Sequence, residues 1–214
     1  MGVYGLSSSE VLGSLSGDLL AKSLARLKTV KLLREFSSDQ VSSILTEVAE
    51  RDFTKNIVFQ SDLSSVSSDL LARALVNMES IQFNGKACLS LDQAKIIFNS
   101  LTASTGLKNM SFATTEHTNL SSVEPTVLSE VLVRLRSVHI SRTLLTSEQL
   151  QALFLKIAET KDSKLKELNM SEIDLSSIPG EILGQALVRL KYVQLRKTNL
   201  TPEIRRGLKK NKKK

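Results

Sequence analysis

Apolar residues recur along this chain in a short, fixed pattern. Seven stretches approximate apolar-x-x-apolar-x-apolar: Leu27 to Leu32, Thr54 to Phe59, Met78 to Phe83, Leu107 to Phe112, Leu135 to Ile140, Leu165 to Met170 and Leu190 to Leu195, at steps of 24–30 residues. Alternation around the fourth and sixth positions is the mark of a strand with one buried face. Helical spacing fills the intervals, as where Leu150, Leu153, Phe154 and Ile157 share one face. Thr146 and Ser147 suit a helix cap, and Pro125, Pro179 and Pro202 stand where helices should start. Strand and helix alternating at this interval require parallel strands joined by right-handed crossovers. Each unit then buries its apolar faces against its neighbours, and none could hold its shape alone.

A second, longer repeat overlies the first. Leu63-Ser-Ser-Val finds partners in Leu120-Ser-Ser-Val and Leu175-Ser-Ser-Ile, with a weaker copy from Leu12, giving spacings of 51, 57 and 55 residues. This is nearly double the roughly 20–29 residues of one leucine-rich unit, so two unit types alternate. The prediction is an α/β solenoid. Residues 1–208 form a single domain of about seven strand-helix units, 1–17 serve as an N-terminal cap, a helix near Pro202 covers the other end, and 209–214 are a basic tail.

Over residues 12–208 these stretches resemble the ribonuclease-inhibitor-like class of leucine-rich repeats, found also in the sensor region of NOD-like receptors. The resemblance implies a horseshoe with a parallel sheet on the concave face and helices on the convex face. It also implies protein-protein interaction through the concave face, with immune-type recognition as one form. In that class an Asn or Cys commonly follows the last strand leucine by three residues. Here the position holds Glu35, Asp62, Lys86, Thr115, Thr143, Ile173 and Thr198, so irregular turns are expected, above all at Lys86 and Ile173. No Gly-x-x-x-x-Gly-Lys-Ser/Thr occurs, so the resemblance extends to a recognition region and not to a nucleotide-binding module.

Charge changes this picture little at first reading. The formal charge is +7, but Lys209, Lys210, Lys212, Lys213 and Lys214 supply five of it and leave +2 for residues 1–208. The single cysteine, Cys88, rules out an internal disulfide framework and favours a reducing, cytoplasmic setting, with the nucleus suggested by the lysine tail. No apolar window is long enough for a membrane span. The two histidines, His117 and His139, make no zinc-ligand spacing with Cys88, and no nucleophile-elbow motif is present, so neither enzyme activity, metal nor cofactor is expected. Two tyrosines and no tryptophan disfavour nucleic acid and leave a protein as the expected partner.

Alternate strand residues take opposite sides of a sheet, so those beside the fourth position face the concave surface. They are Thr29 and Lys31, Asn56 and Val58, Ser80 and Gln82, Asn109 and Ser111, Ser137 and His139, Glu167 and Asn169, Tyr192 and Gln194. Gln60, Asn84, Ser141, Ser171 and Arg196 should widen it. From this face the candidate binding residues are Gln82, Asn84, Ser111, His139, Ser141, Asn169, Ser171, Tyr192, Gln194 and Arg196, with Tyr192, His139 and Arg196 as anchors by residue type. A different function, a structural or regulatory adaptor binding anionic partners, is raised by the Lys209–Lys214 tail together with the residue after each first position: Lys28, Lys55, Glu79, Lys108, Arg136, Lys166 and Lys191. Stacked, these would form a basic ridge. Cations that merely offset the negative ends of the preceding helices would produce the same recurrence, and this structural reading is preferred.

Overall fold

The computed structural model describes residues 15–202 except 52, 85, 86, 106, 108, 109, 115–117 and 201. Most of the expected N-terminal cap, the body of the helix expected from Pro202, and the 209–214 tail lie outside the described residues. Among the described residues the chain alternates seven helices with seven strands: α1 (Gly17–Leu24), β1 (Thr29–Leu32), α2 (Ser38–Arg51), β2 (Asn56–Phe59), α3 (Ser68–Leu75), β3 (Ser80–Phe83), α4 (Leu91–Thr102), β4 (Ser111–Thr114), α5 (Pro125–Arg134), β5 (Ser137–Ile140), α6 (Ser147–Glu159), β6 (Glu167–Asn169), α7 (Gly180–Leu187) and β7 (Tyr192–Gln194).

The strands form one open, wholly parallel sheet in sequence order, each in register with the next. This is an α/β solenoid of leucine-rich-repeat-like form. Packed helices sit about 8–10 Å apart and paired strands about 4.7–4.9 Å, so stacking one of each per unit curves the array with the sheet inside. Residues at the inward positions, among them Val30, Leu32, Ile57, Phe59, Ile81, Val138 and Leu168, are fully buried, and the helices bury their apolar stripes against them.

The two unit types have a structural cause. The repeated Leu-Ser-Ser-Val turns each bury the Leu and the Val or Ile and expose the serines, except for the half-buried Ser122, and the preceding Asp62, Asn119 or Asp174 accepts a backbone N–H two residues on. The longer helices of the other unit type, α2, α4 and α6, open with Ser37, Ser90 and Thr146 as caps and Gln40, Gln93 and Gln149 three residues later. In each capping box the Gln oxygen accepts the cap residue's N–H at 2.9 Å. Each Gln is buried, and its amide group reaches back into the preceding turn. Gln93 donates to the carbonyls of Leu63 at 2.7 Å and Val66 at 2.8 Å; Gln149 donates to those of Leu120 at 2.8 Å and Val123; Gln40 donates to that of Leu15 at 2.9 Å. One side chain thus caps its own helix and ties it to the unit before.

One strand departs from expectation. The sequence pattern places the fourth strand over Leu107 to Phe112, but Ser111 pairs with Ser80 and Phe112 with Ile81, so β4 sits two residues later. Thr114, not Phe112, takes the sixth position, and its buried hydroxyl is satisfied by that of Thr118. The turn after β4 is therefore displaced, and Thr118 stands buried where Thr143 stands in the next unit, since Leu144 N–H bonds to the Thr118 carbonyl at 3.0 Å. Of the residues three beyond the strands, Thr143, Ile173 and Thr198 are buried while Glu35 and Asp62 are exposed; Lys86 and Thr115 lie outside the described residues.

In unit two the inward turn residue is Ser61, fully buried with a hydroxyl that meets no hydrogen-bond partner. Ser61→Ala should leave stability unchanged or raise it by up to about 1 kcal/mol, because removing an unsatisfied hydroxyl removes a desolvation cost. Urea unfolding checks this, and a clear loss of stability would show that the hydroxyl is satisfied after all.

Candidate functional site: the open sheet face and its edges

The in-register sheet sorts the outward side chains into rows. Ser80, Ser111, Ser137, Glu167 and Tyr192 form one row, and Val58, Gln82, Ala113, His139, Asn169 and Gln194 the next. The shift of β4 puts Ser111 in the first row instead of the second and brings Ala113 onto the face; Asn109, expected outward, lies outside the described residues. Lys31 and Glu167 are the only Lys, Arg, Asp or Glu side chains of these strands on the face, which otherwise presents mainly hydroxyls and carboxamides, with Val58, Ala113 and His139 among them.

The predicted residues fall into two groups. Gln82 and Asn84 belong to unit three and Ser111 to unit four, all half-buried. The remainder cluster over units five to seven. There the oxygen of Asn169 accepts from the Ser171 hydroxyl at 2.9 Å, the Ser171 N–H at 3.1 Å and the Ser141 hydroxyl at 3.3 Å. Arg196 N–H reaches the Ser171 oxygen at 3.4 Å, and the Tyr192 hydroxyl donates to Gln194 at 3.4 Å. His139 neighbours Asn169 across the strand pair, and His139, Tyr192 and Arg196 are all exposed. The arrangement combines a fixed polar bed with three side chains free to meet a partner.

Behind this cluster the turn residues Arg142, Glu172 and Lys197 each adopt positive φ, at 55°, 63° and 55°. A non-glycine residue seldom sits there. Stacked turn on turn, they alternate in charge: Arg142 grips Glu172 at 2.9 and 3.2 Å and Lys197 adds a contact at 3.4 Å. The hydrogen bond from Arg142 holds the Glu172 carboxyl below its ordinary range, and the Arg142 and Lys197 charges act in the same direction. Beside this ladder lies a cleft of about 590 Å³ lined by Leu144, Ile173, Asp174 and Ser147.

The basic positions are also rearranged. Backbone bonds extend the ladder one residue before each strand, from Lys28 to Lys55 to Glu79, and again from Met110 through Arg136 and Lys166 to Lys191. Met110, fully buried, occupies the fourth rung where Lys108 was expected, and Lys108 lies outside the described residues. The ridge is thus split into an N-terminal pair and a C-terminal triplet. Carbonyls at helix ends are met by other residues: Arg134 donates to Thr102 at 2.7 Å and to Ser104, and Arg189 to Thr160 at 3.5 Å. Lys166 also reaches a backbone carbonyl, that of Ser163, at 3.2 Å, while among the described residues no hydrogen bond or ion pair engages the side chains of Arg136 and Lys191.

No described helix is long and apolar enough to cross a membrane. No family model, curated protein or solved structure matches the chain.

Proposed function

We propose that this chain is a leucine-rich-repeat recognition module of the ribonuclease-inhibitor-like class that binds a protein through its concave face, with immune-type recognition as one setting. The observation that carries this reading is the cluster over units five to seven. His139, Tyr192 and Arg196 stand exposed on a bed in which Asn169, Ser141 and Ser171 already satisfy one another. Side chains held by such bonds lose little freedom on association, and Tyr and Arg are the types that most often dominate interface energetics. A largely uncharged field rimmed by a few charges suits a broad protein contact.

Capture from cell lysate tests the proposal when three chains are compared: wild type, a variant with His139, Asn169 and Tyr192 changed to Ala, and one with exposed helix residues Lys95, Leu155 and Lys156 changed to Ala. A protein held by the first and third and lost by the second is expected. With that protein purified, Tyr192→Ala alone should weaken binding by about thirty-fold, the scale of one interface anchor. Capture that does not distinguish the three chains overturns the proposal.

A further inference from the structure

The near-neutral body of the chain conceals a strong polarity that only the topology reveals. Seven segments lead from a helix into a strand, and their described residues include nine Lys or Arg and two Asp or Glu. The described residues of the seven that leave the strands, counting the last to Leu200, include four and five. Because the parallel strands run in register, all segments of one kind lie along one edge of the sheet. The edge where strands begin therefore carries the positive charge, and the opposite edge is close to neutral.

We propose that this strand-start edge docks the solenoid on an anionic lipid bilayer. Among the described residues, Lys28, Arg136, Lys166 and Lys191 form no ion pair, and all four are exposed. Arg136, Lys166 and Lys191 occupy consecutive rungs, where neighbouring like charges are about 4.8 Å apart at the backbone and destabilise the sheet. Within the fold, Lys166 reaches only the Ser163 carbonyl, at 3.2 Å, and among the described residues no hydrogen bond or ion pair engages the side chains of Arg136 and Lys191. A surface of anionic headgroups would offset the charge of this triplet. Two large apolar side chains project from the same edge: Leu27, 43% exposed, beside Lys28, and Phe53, 56% exposed, two residues before Lys55. Basic residues with protruding apolar ones match the headgroup and acyl boundary of a bilayer. A nucleic-acid strand would call for stacking aromatics, which this edge lacks apart from Phe53. Five further lysines follow in the sequence from Lys209 to Lys214.

The surface is separate from the open sheet face, so its failure and that of the recognition proposal are distinguishable. Co-sedimentation of the full chain with vesicles tests it, using phosphatidylcholine alone and phosphatidylcholine with phosphatidylserine. Binding should require phosphatidylserine and weaken steeply as salt rises to physiological strength. The triple change Arg136→Ser, Lys166→Ser and Lys191→Ser should reduce partitioning by about a hundred-fold, the product of three surface charges. Changing Arg34, Arg73 and Lys95 to Ser alters net charge equally on other surfaces and should leave binding within about two-fold. Phe53→Ser should weaken binding without altering its salt dependence, and the His139, Asn169 and Tyr192 alanine variant should bind vesicles as wild type does. The proposal is overturned by binding that ignores phosphatidylserine, by equal losses in the two serine triples, or by displacement from vesicles with a single-stranded oligonucleotide at matching phosphate concentration.

Discussion

Gln149→Leu is expected to destabilise the protein by about 2–4 kcal/mol, although it replaces one buried side chain by another of similar size. Gln149 is 1% exposed and makes bonds of two kinds. Its oxygen accepts the Thr146 N–H, closing the capping box of α6, and its amide nitrogen donates to the carbonyls of Leu120 and Val123 in the turn before α5. Leucine removes the donor; the Leu120 carbonyl keeps the Val123 N–H at 3.0 Å, but the Val123 carbonyl loses its donor in a packed interior, at about 1–3 kcal/mol, in addition to about 1 kcal/mol of cap. Such a loss is a large share of the roughly 5–15 kcal/mol that holds a typical domain folded. Gln151→Leu, on the exposed face of the same helix, should change stability by less than about 0.5 kcal/mol. Chemical unfolding of the two variants side by side is the check, and near-equal midpoints would show that the buried amide bonds contribute little.

The same glutamines show how far the sequence could be read. The doubled spacing of the Leu-Ser-Ser-Val copies was legible as an alternation of unit types because it is a matter of counting. Its reason was not. A Gln at the third position of a helix reads as half of a capping box, but that its other end ties down the turn some 26 to 30 residues earlier depends on which carbonyls the stacked fold brings within reach. The strand of unit four shows a different limit. A one-residue slip reverses every side chain and is excluded by the apolar pattern, whereas a two-residue slip preserves the alternation. Leu107, Met110 and Phe112 fill the apolar template, so the pattern favours them over the true set ending in Thr114, whose burial depends on the Thr118 hydroxyl. That slip moved Ser111 by one row and replaced a lysine by Met110 on the ridge.

The open face was legible to a greater degree, because period-two alternation and an in-register parallel sheet fix which side each residue takes. What the alternation cannot supply is contact between strands. The bond from Ser171 to Asn169 is local, but Ser141 meets Asn169 from 28 positions away and Arg196 meets Ser171 from 25, and no local motif marks those two contacts. The distribution of charge depends on topology for a related reason. Summed along the chain it nearly cancels, and only the assignment of each loop to one sheet edge or the other separates it.

Phe83→Ala should cost about 3–5 kcal/mol and, beyond that, divide the unfolding transition. The Phe83 ring is 1% exposed and stacks on Phe59 at 5.0 Å and 7°, while on its other side it meets Phe112 at 5.8 Å and 54°. Phe59 and Phe83 are register partners, but Phe112 belongs to the fourth position of its unit, so the aromatic line steps diagonally where β4 is shifted. Phe98 of α4 closes on Phe112 at 5.6 Å and extends the line from sheet to helices. A solenoid is stabilised by interfaces between neighbouring units, so a void at one interface weakens the coupling between the two sides as well as the site itself. Units one and two should then melt ahead of units four to seven, giving two transitions by circular dichroism where the wild type gives one. Phe83→Leu, which retains volume but loses the ring contacts, should lower stability by less and leave a single transition. Two transitions already in the wild type, or one in Phe83→Ala, would mean that coupling across the third unit does not depend on this ring.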